Sequence, residues 1–109
     1  MGVVRDMGNP VDVVVTITAH TQSAEHVREV LRNLVAPTRE EPGCLRYDVY
    51  ESSEGVFVEI ETWRSEADRA AHEFTPHVQA ALTQVGDHLA ATPTWHVLTP
   101  IPAASRSVN

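Results

Sequence analysis

Apolar and polar positions alternate over Val13–Ala19, where β-branched residues run almost unbroken. The period of two predicts a strand with Val15, Ile17 and Ala19 on one face and Thr16, Thr18 and His20 on the other. The period then lengthens. Val27, Val30, Leu31, Leu34 and Val35 recur at helical spacing and form one apolar stripe. Ser23, with Thr21 as its rival, is the expected N-cap. Pro37 removes a backbone donor, so the helix should kink or end near it. Glu41-Pro42-Gly43 reads as a turn. A second strand is expected over Cys44–Ser52 and a third over Phe57–Trp63, joined by a tight hairpin. A three-residue loop, Ser53-Glu54-Gly55, puts Ser52 opposite Val56. It then pairs Glu51 with Phe57, Val49 with Glu59, Tyr47 with Glu61 and Leu45 with Trp63. A two-residue loop would set Asp48 against Glu61, and directly opposed like charges are destabilising. The longer loop is therefore expected, and it gathers Tyr47, Glu59, Glu61 and Trp63 on one face.

Ser65 stands three residues before Asp68, which marks the start of a short helix over Glu66–Glu73. Thr75-Pro76 opens another helix, with Thr as N-cap and Pro at the first helical position. Its stripe is Val78, Ala81, Leu82, Val85 and Leu89. Thr92-Pro93 closes it, and Thr94–Thr99 reads as a fourth strand. The order strand, helix, strand, strand, helix in two pieces, strand is the split β-α-β pattern of a ferredoxin-like α+β fold. Helices should cover one face of a four-stranded antiparallel sheet. The domain is placed at 12–101, with a loose N-terminal tail at 1–11 and a C-terminal tail at 102–109. The uncovered sheet face carries too many apolar side chains to be left in water. A second copy packed sheet to sheet is the expected cover, giving a homodimer.

At 109 residues the chain is one domain. A formal charge of −7 argues against nucleic acid or an anionic membrane surface as partner, since both select for basic patches. No apolar run approaches the roughly 18 residues of a membrane span. The N-terminus lacks the apolar centre of a signal peptide, so a cytoplasmic location is expected. The single cysteine, Cys44, cannot close an internal disulfide and is expected to be buried and inert. His72 and His77 are five apart with Pro76 between them, a poor spacing for two ligands on one helix face. His20, His26, His88 and His96 form no cluster either, so no metal is expected.

The densest chemistry lies between Phe57 and His77. His72 is the first candidate for acid–base work, because imidazole titrates near neutral pH. Its structural alternative is a hydrogen bond to a carboxylate such as Glu61 that ties helix to sheet. His77 opens a helix, either as a substrate contact or as a partly exposed helix-start residue. Trp63 can wall a pocket and donate through its indole N–H, or serve as a core or dimer-contact residue. Tyr47 can donate to an oxyanion or pack across strands. Glu59 and Glu61 are costly to bury alone. Either they pair with His72, Arg46 or Arg28, or one has a raised pKa and acts as a base. Phe57 and Phe74 read as apolar wall or as core.

Glu41-Pro-Gly-Cys-Leu-Arg-Tyr47, Glu61-Thr-Trp63 and His72-Glu-Phe-Thr-Pro-His77 at these spacings resemble the antibiotic biosynthesis monooxygenase (ABM) domain family, from about Val13 to Ile101. The resemblance implies a dimeric α+β barrel with a small apolar cavity in each subunit, between sheet and helices. Some members oxidise phenolic or quinol substrates with dioxygen and no cofactor. Two positions depart from familiar branches. Glu59 stands where the aromatic-polyketide oxygenases usually carry Asn, and His72 stands where haem-degrading relatives carry Trp, so haem degradation is not expected. The Leu45-Arg46 and Thr75-Pro76-His77 regions also resemble a branch that isomerises a small phosphorylated carbonyl compound. The reading that results is a cofactor-independent monooxygenase acting on a small electron-rich aromatic, quinol or polyketide-like substrate with O2. Its expected catalytic residues are His72, Trp63 and Glu61, and its substrate contacts Tyr47, Phe57, Glu59, Phe74 and His77. A proton-transfer enzyme or isomerase on a small oxygenated metabolite, and a non-catalytic small-molecule-binding dimer, are the alternatives.

Overall fold

The computed structural model describes residues 9–104. Four strands, β1 (Val11–Thr18), β2 (Cys44–Ser53), β3 (Val56–Trp63) and β4 (Thr94–Leu98), form one sheet in the order β2-β3-β1-β4. All pairings are antiparallel. Three α-helices, α1 (Ala24–Arg39), α2 (Glu66–His72) and α3 (Pro76–Val85), complete the ferredoxin-like α+β fold. Strand β1 begins at Val11, which pairs with Trp63. The N-terminal tail assigned to 1–11 otherwise lies mostly outside the described residues. Residues 99–104 carry no regular structure.

The hairpin is built differently from expectation, and the difference is instructive. Ser53 faces Val56, so the loop is the two residues Glu54-Gly55, with Gly55 at φ +80°. A bulge between Glu51 and Ser53 then shifts the ladder by one residue. The centre of the hairpin therefore has the expected pairs: Glu51 with Phe57, Val49 with Glu59 and Tyr47 with Glu61. A second bulge lets Cys44, rather than Leu45, face Trp63. Bulges thus reconcile a tight turn with the separation of Asp48 from Glu61; Asp48 faces Ile60.

Helix α1 buries Val27, Val30, Leu31 and Leu34, each side chain contributing about 1.5–3 kcal/mol of apolar transfer. Ser23 occupies the N-cap position, but its hydroxyl bonds to His88 Nδ1 at 2.9 Å and makes no capping bond. A single 3-10 turn, Thr21–Ser23, precedes the helix. Pro37 lies inside α1, and the helix stops two residues later at Arg39. The other two caps are as expected. Ser65 Oγ accepts from the Asp68 N–H and Thr75 Oγ1 accepts from the Val78 N–H. Helix α2 ends at His72, one residue short of the expected Glu73, and the turn to Thr75 separates it from α3. On the helix-covered side of the sheet, Phe57, Glu59, Glu61 and Trp63 of β3 are all buried.

Candidate functional site

A cavity of about 350 Å³ lies between the sheet and the helices, within the range of small-molecule sites. Its floor is apolar, with Val13, Val15 and Ile17 from β1 and Leu31 and Leu34 from α1. Exposed Phe74, Leu82 and Trp95 also line it and mark where it opens. Arg69 lies at this rim, but its guanidinium is held by Glu66 and Glu73 and stacks over Trp95 at 5.1 Å. Four polar side chains face the apolar space from deeper positions: Tyr47, Glu59, Glu61 and His72. All four are buried.

Period-two alternation explains the placement of three of them. Glu59 and Glu61 point to the same side of β3, and Tyr47 sits directly across from Glu61 on β2. Trp63 lies one step further along β3. It is wholly buried, does not line the cavity, and donates its indole N–H to Glu61 Oε1 at 2.8 Å. The indole therefore anchors a carboxylate from outside the cavity wall. Glu61 is thus held by Trp63, not by His72, Arg46 or Arg28. Those two arginines pair with Asp48 and Glu51 instead.

Glu59 has no cationic partner among the described residues. Burial, reinforced by the nearby Glu61 carboxylate, pushes its pKa up to about 8. Burial therefore favours its neutral form, which is able to donate a hydrogen bond. Burial above all, with the Glu59 and Glu61 carboxyls beside it, also pushes the Tyr47 phenol far above its ordinary pKa, so it stays protonated. Its buried hydroxyl has no hydrogen-bond partner of good geometry, although Glu59 is close enough to act on it. Two protonated oxygen donors consequently face one apolar space.

His72 is placed by the end of α2. Its ring lies 4.8 Å from the Trp63 ring and 5.7 Å from the Tyr47 ring, centroid to centroid. Its Nδ1 meets Glu41 Oε2 at 2.8 Å, and the same oxygen meets His77 Nε2 at 2.6 Å. The structural alternative given for His72, a hydrogen bond to a carboxylate, is present, with Glu41 in the place suggested for Glu61. An ionised carboxylate can only accept, so the Glu41 contact places a proton on His72 Nδ1; in the neutral ring, Nε2 is then the acceptor. The spacing argument against a shared site for His72 and His77 is also corrected. It weighed ligands on one helix face, whereas the two rings stand on the two separate helices that were expected, and both reach one oxygen.

The remaining candidates fall elsewhere. Phe57 is a core residue outside the cavity lining, with the Arg28 guanidinium 5.8 Å above its ring. His77 is outside the lining as well. Phe74 lines the cavity but is 78% exposed, at the rim. Cys44 is half-buried and burial pushes its thiol pKa up, away from reactivity. Glu41 was the residue sequence reasoning passed over, because it stands in a Pro-Gly turn. The usable signal was its charge: an acid at a turn packed next to two histidine-bearing helix ends.

No helix among the described residues is long and apolar enough to cross a membrane. The sequence model of the family described as antibiotic biosynthesis monooxygenase matches residues 10–84. "Putative monooxygenase Rv0793" of Mycobacterium tuberculosis is 34% identical over 100 residues, covering 91% of this chain and 99% of that protein. The solved structure of Rv0793 superposes with a TM-score of 0.81, covering 89% of this chain and all of that one. PA3566 from Pseudomonas aeruginosa is 33% identical, with a TM-score of 0.81 over 88% of this chain and 98% of that one. The "putative antibiotic biosynthesis monooxygenase" from Nitrosomonas europaea is 25% identical, with the same TM-score over 86% of this chain and 92% of that one. With a matching family model over most of its length and relatives covered almost end to end, this chain belongs to the antibiotic biosynthesis monooxygenase domain family.

Proposed function

We propose that this chain is a cofactor-independent monooxygenase that oxidises a small, flat, electron-rich aromatic or quinol-like substrate with O2. The observation that carries the reading is the convergence on one apolar cavity of His72, whose Nδ1 is held by Glu41, and the buried Glu59 and Tyr47 side chains. Ground-state dioxygen is a triplet and reacts slowly with closed-shell molecules, so the substrate must first become an electron donor. His72 Nε2 takes a proton from an acidic C–H or O–H, as in an anthrone, and Glu41 holds the ring and stabilises the imidazolium. Tyr47 and Glu59 donate to the oxyanion that results. The enolate gives one electron to O2, and the radical pair combines to a peroxide. Return of the proton and loss of water then leave a new C=O. The balance is CH2 + O2 → C=O + H2O. The aliphatic floor keeps the radical pair from solvent.

Oxygen uptake with a panel of anthrones and hydroquinones tests this. Turnover by the native chain, reduced by about 10²-fold or more in His72→Ala, is the expected result. A native chain that consumes no oxygen above that variant overturns it. The same acid and base facing one cavity also favour a second reading, an isomerase on a small oxygenated metabolite, and turnover that persists without oxygen would select it. We also propose that the outer sheet face, where Val14, Val58, Ile60, Tyr50 and Leu98 are only partly covered, packs on a second copy. Light scattering showing a monomer at micromolar concentration would refute that.

A further inference from the structure

We infer that Glu41, His72 and His77 bind one divalent transition-metal ion of the zinc class. The inference is independent of the oxygenase reading. Three facts support it. First, the donor atoms converge: one ligand atom from each residue lies within 4.8 Å of the other two. Second, each donor comes from a different element. His72 closes α2, His77 is the second residue of α3, and Glu41 belongs to the turn before β2. The site is thus assembled by the fold and not by local spacing. Third, the site is largely sheltered but reachable. The Glu41 and His72 side chains are 8% and 10% exposed, while that of His77 is 24% exposed and gives an ion a way in.

The donor set selects the ion. Two imidazole nitrogens and one carboxylate suit zinc, cobalt, nickel or copper, whereas magnesium and calcium prefer all-oxygen surroundings. Two histidines and a glutamate also leave a tetrahedral ion one position for water. The N···O separations are now 2.8 and 2.6 Å, the lengths of hydrogen bonds. Around a tetrahedral ion with bonds of about 2.0–2.1 Å they would open to roughly 3.3 Å. His77, at the partly exposed start of its helix, is the ligand freest to make that half-ångström move. The ion would occupy Nδ1 of His72 and send the ring proton to Nε2. An acceptor facing the cavity would become a donor, so metal binding and base action by His72 exclude each other. In an oxygenase of the proposed kind, the ion would be an inhibitor.

The test uses the full chain stripped with a chelator, then titrated with Zn2+ by calorimetry and with Co2+ by visible absorption. One Zn2+ per chain is expected, with Co2+ giving the d–d bands of a four- or five-coordinate ion. His77→Ala should weaken Zn2+ binding by at least about tenfold with unchanged circular dichroism, and Glu41→Gln should do the same. If Glu41→Gln fails to fold, His77→Ala alone decides. His26→Ala is the control, because His26 lies in a separate histidine pair with His88. Absence of stoichiometric binding, or binding that His26→Ala removes and His77→Ala does not, overturns the inference.

Discussion

Replacing Glu59 by Gln should flatten the pH dependence of folding stability. Glu59 is almost wholly buried, and burial plus the Glu61 carboxylate raise its pKa from the ordinary 4.5 to about 8. The folded chain therefore keeps a proton that the unfolded chain releases between those values. Stability falls as the unfolded state binds fewer protons than the native one, at about 1.4 kcal/mol per pH unit for one proton. The contribution is fully present below about pH 4.5 and is lost as pH rises through about 8. Between pH 5.5 and 8 the loss is on the order of 3 kcal/mol, an upper bound because water entering the cavity would ease the burial. Gln is a neutral isostere of the protonated acid, so Glu59→Gln should match the native chain near pH 5.5 and exceed it near pH 8. Urea midpoints at matched slope, taken across this range for both proteins, give the difference directly and cancel the titration of the groups not coupled to Glu59. Parallel curves would show that Glu59 is ionised in the fold, and the donor role given to it would fail.

Three further outcomes follow from the same geometry. Tyr47→Phe removes a buried hydroxyl without a good partner, so thermal stability should be unchanged or rise by up to about 1 kcal/mol while turnover falls about 10²-fold; a clear loss of stability would reveal a partner for the phenol. Glu41→Gln should keep the fold by circular dichroism yet cut oxygen turnover by about 10²-fold, because the ring of His72 loses its charged anchor; undiminished turnover would take the pair out of the chemistry. Gly43→Ala should cost about 1–3 kcal/mol in denaturation, since Gly43 sits at φ +84° and the Asp68 side chain fills the place of a Cβ; a neutral effect would mean the turn readily adopts another shape.

The chain's periodicities alone determined its four strands, the amphipathic α1 and two of its three helix caps, because each depends on residues within a few positions of one another. They also placed Tyr47, Glu59 and Glu61 on one face, since alternation along a strand is a local rule. The central register of the hairpin was legible for the same reason, but the bulges at its ends were not. A shift of one residue depends on how turn and sheet compete, and several loops serve the same sequence. Only the tertiary structure decided what the buried charges meet. Glu41, in a turn, reaches two imidazoles 31 and 36 residues away, and the Trp63 indole turns inward to a carboxylate instead of toward the cavity. Partners that far apart in sequence leave no periodic trace. Their meeting follows from the break between α2 and α3 and from the packing of α2 on β3 and of α3 on α1.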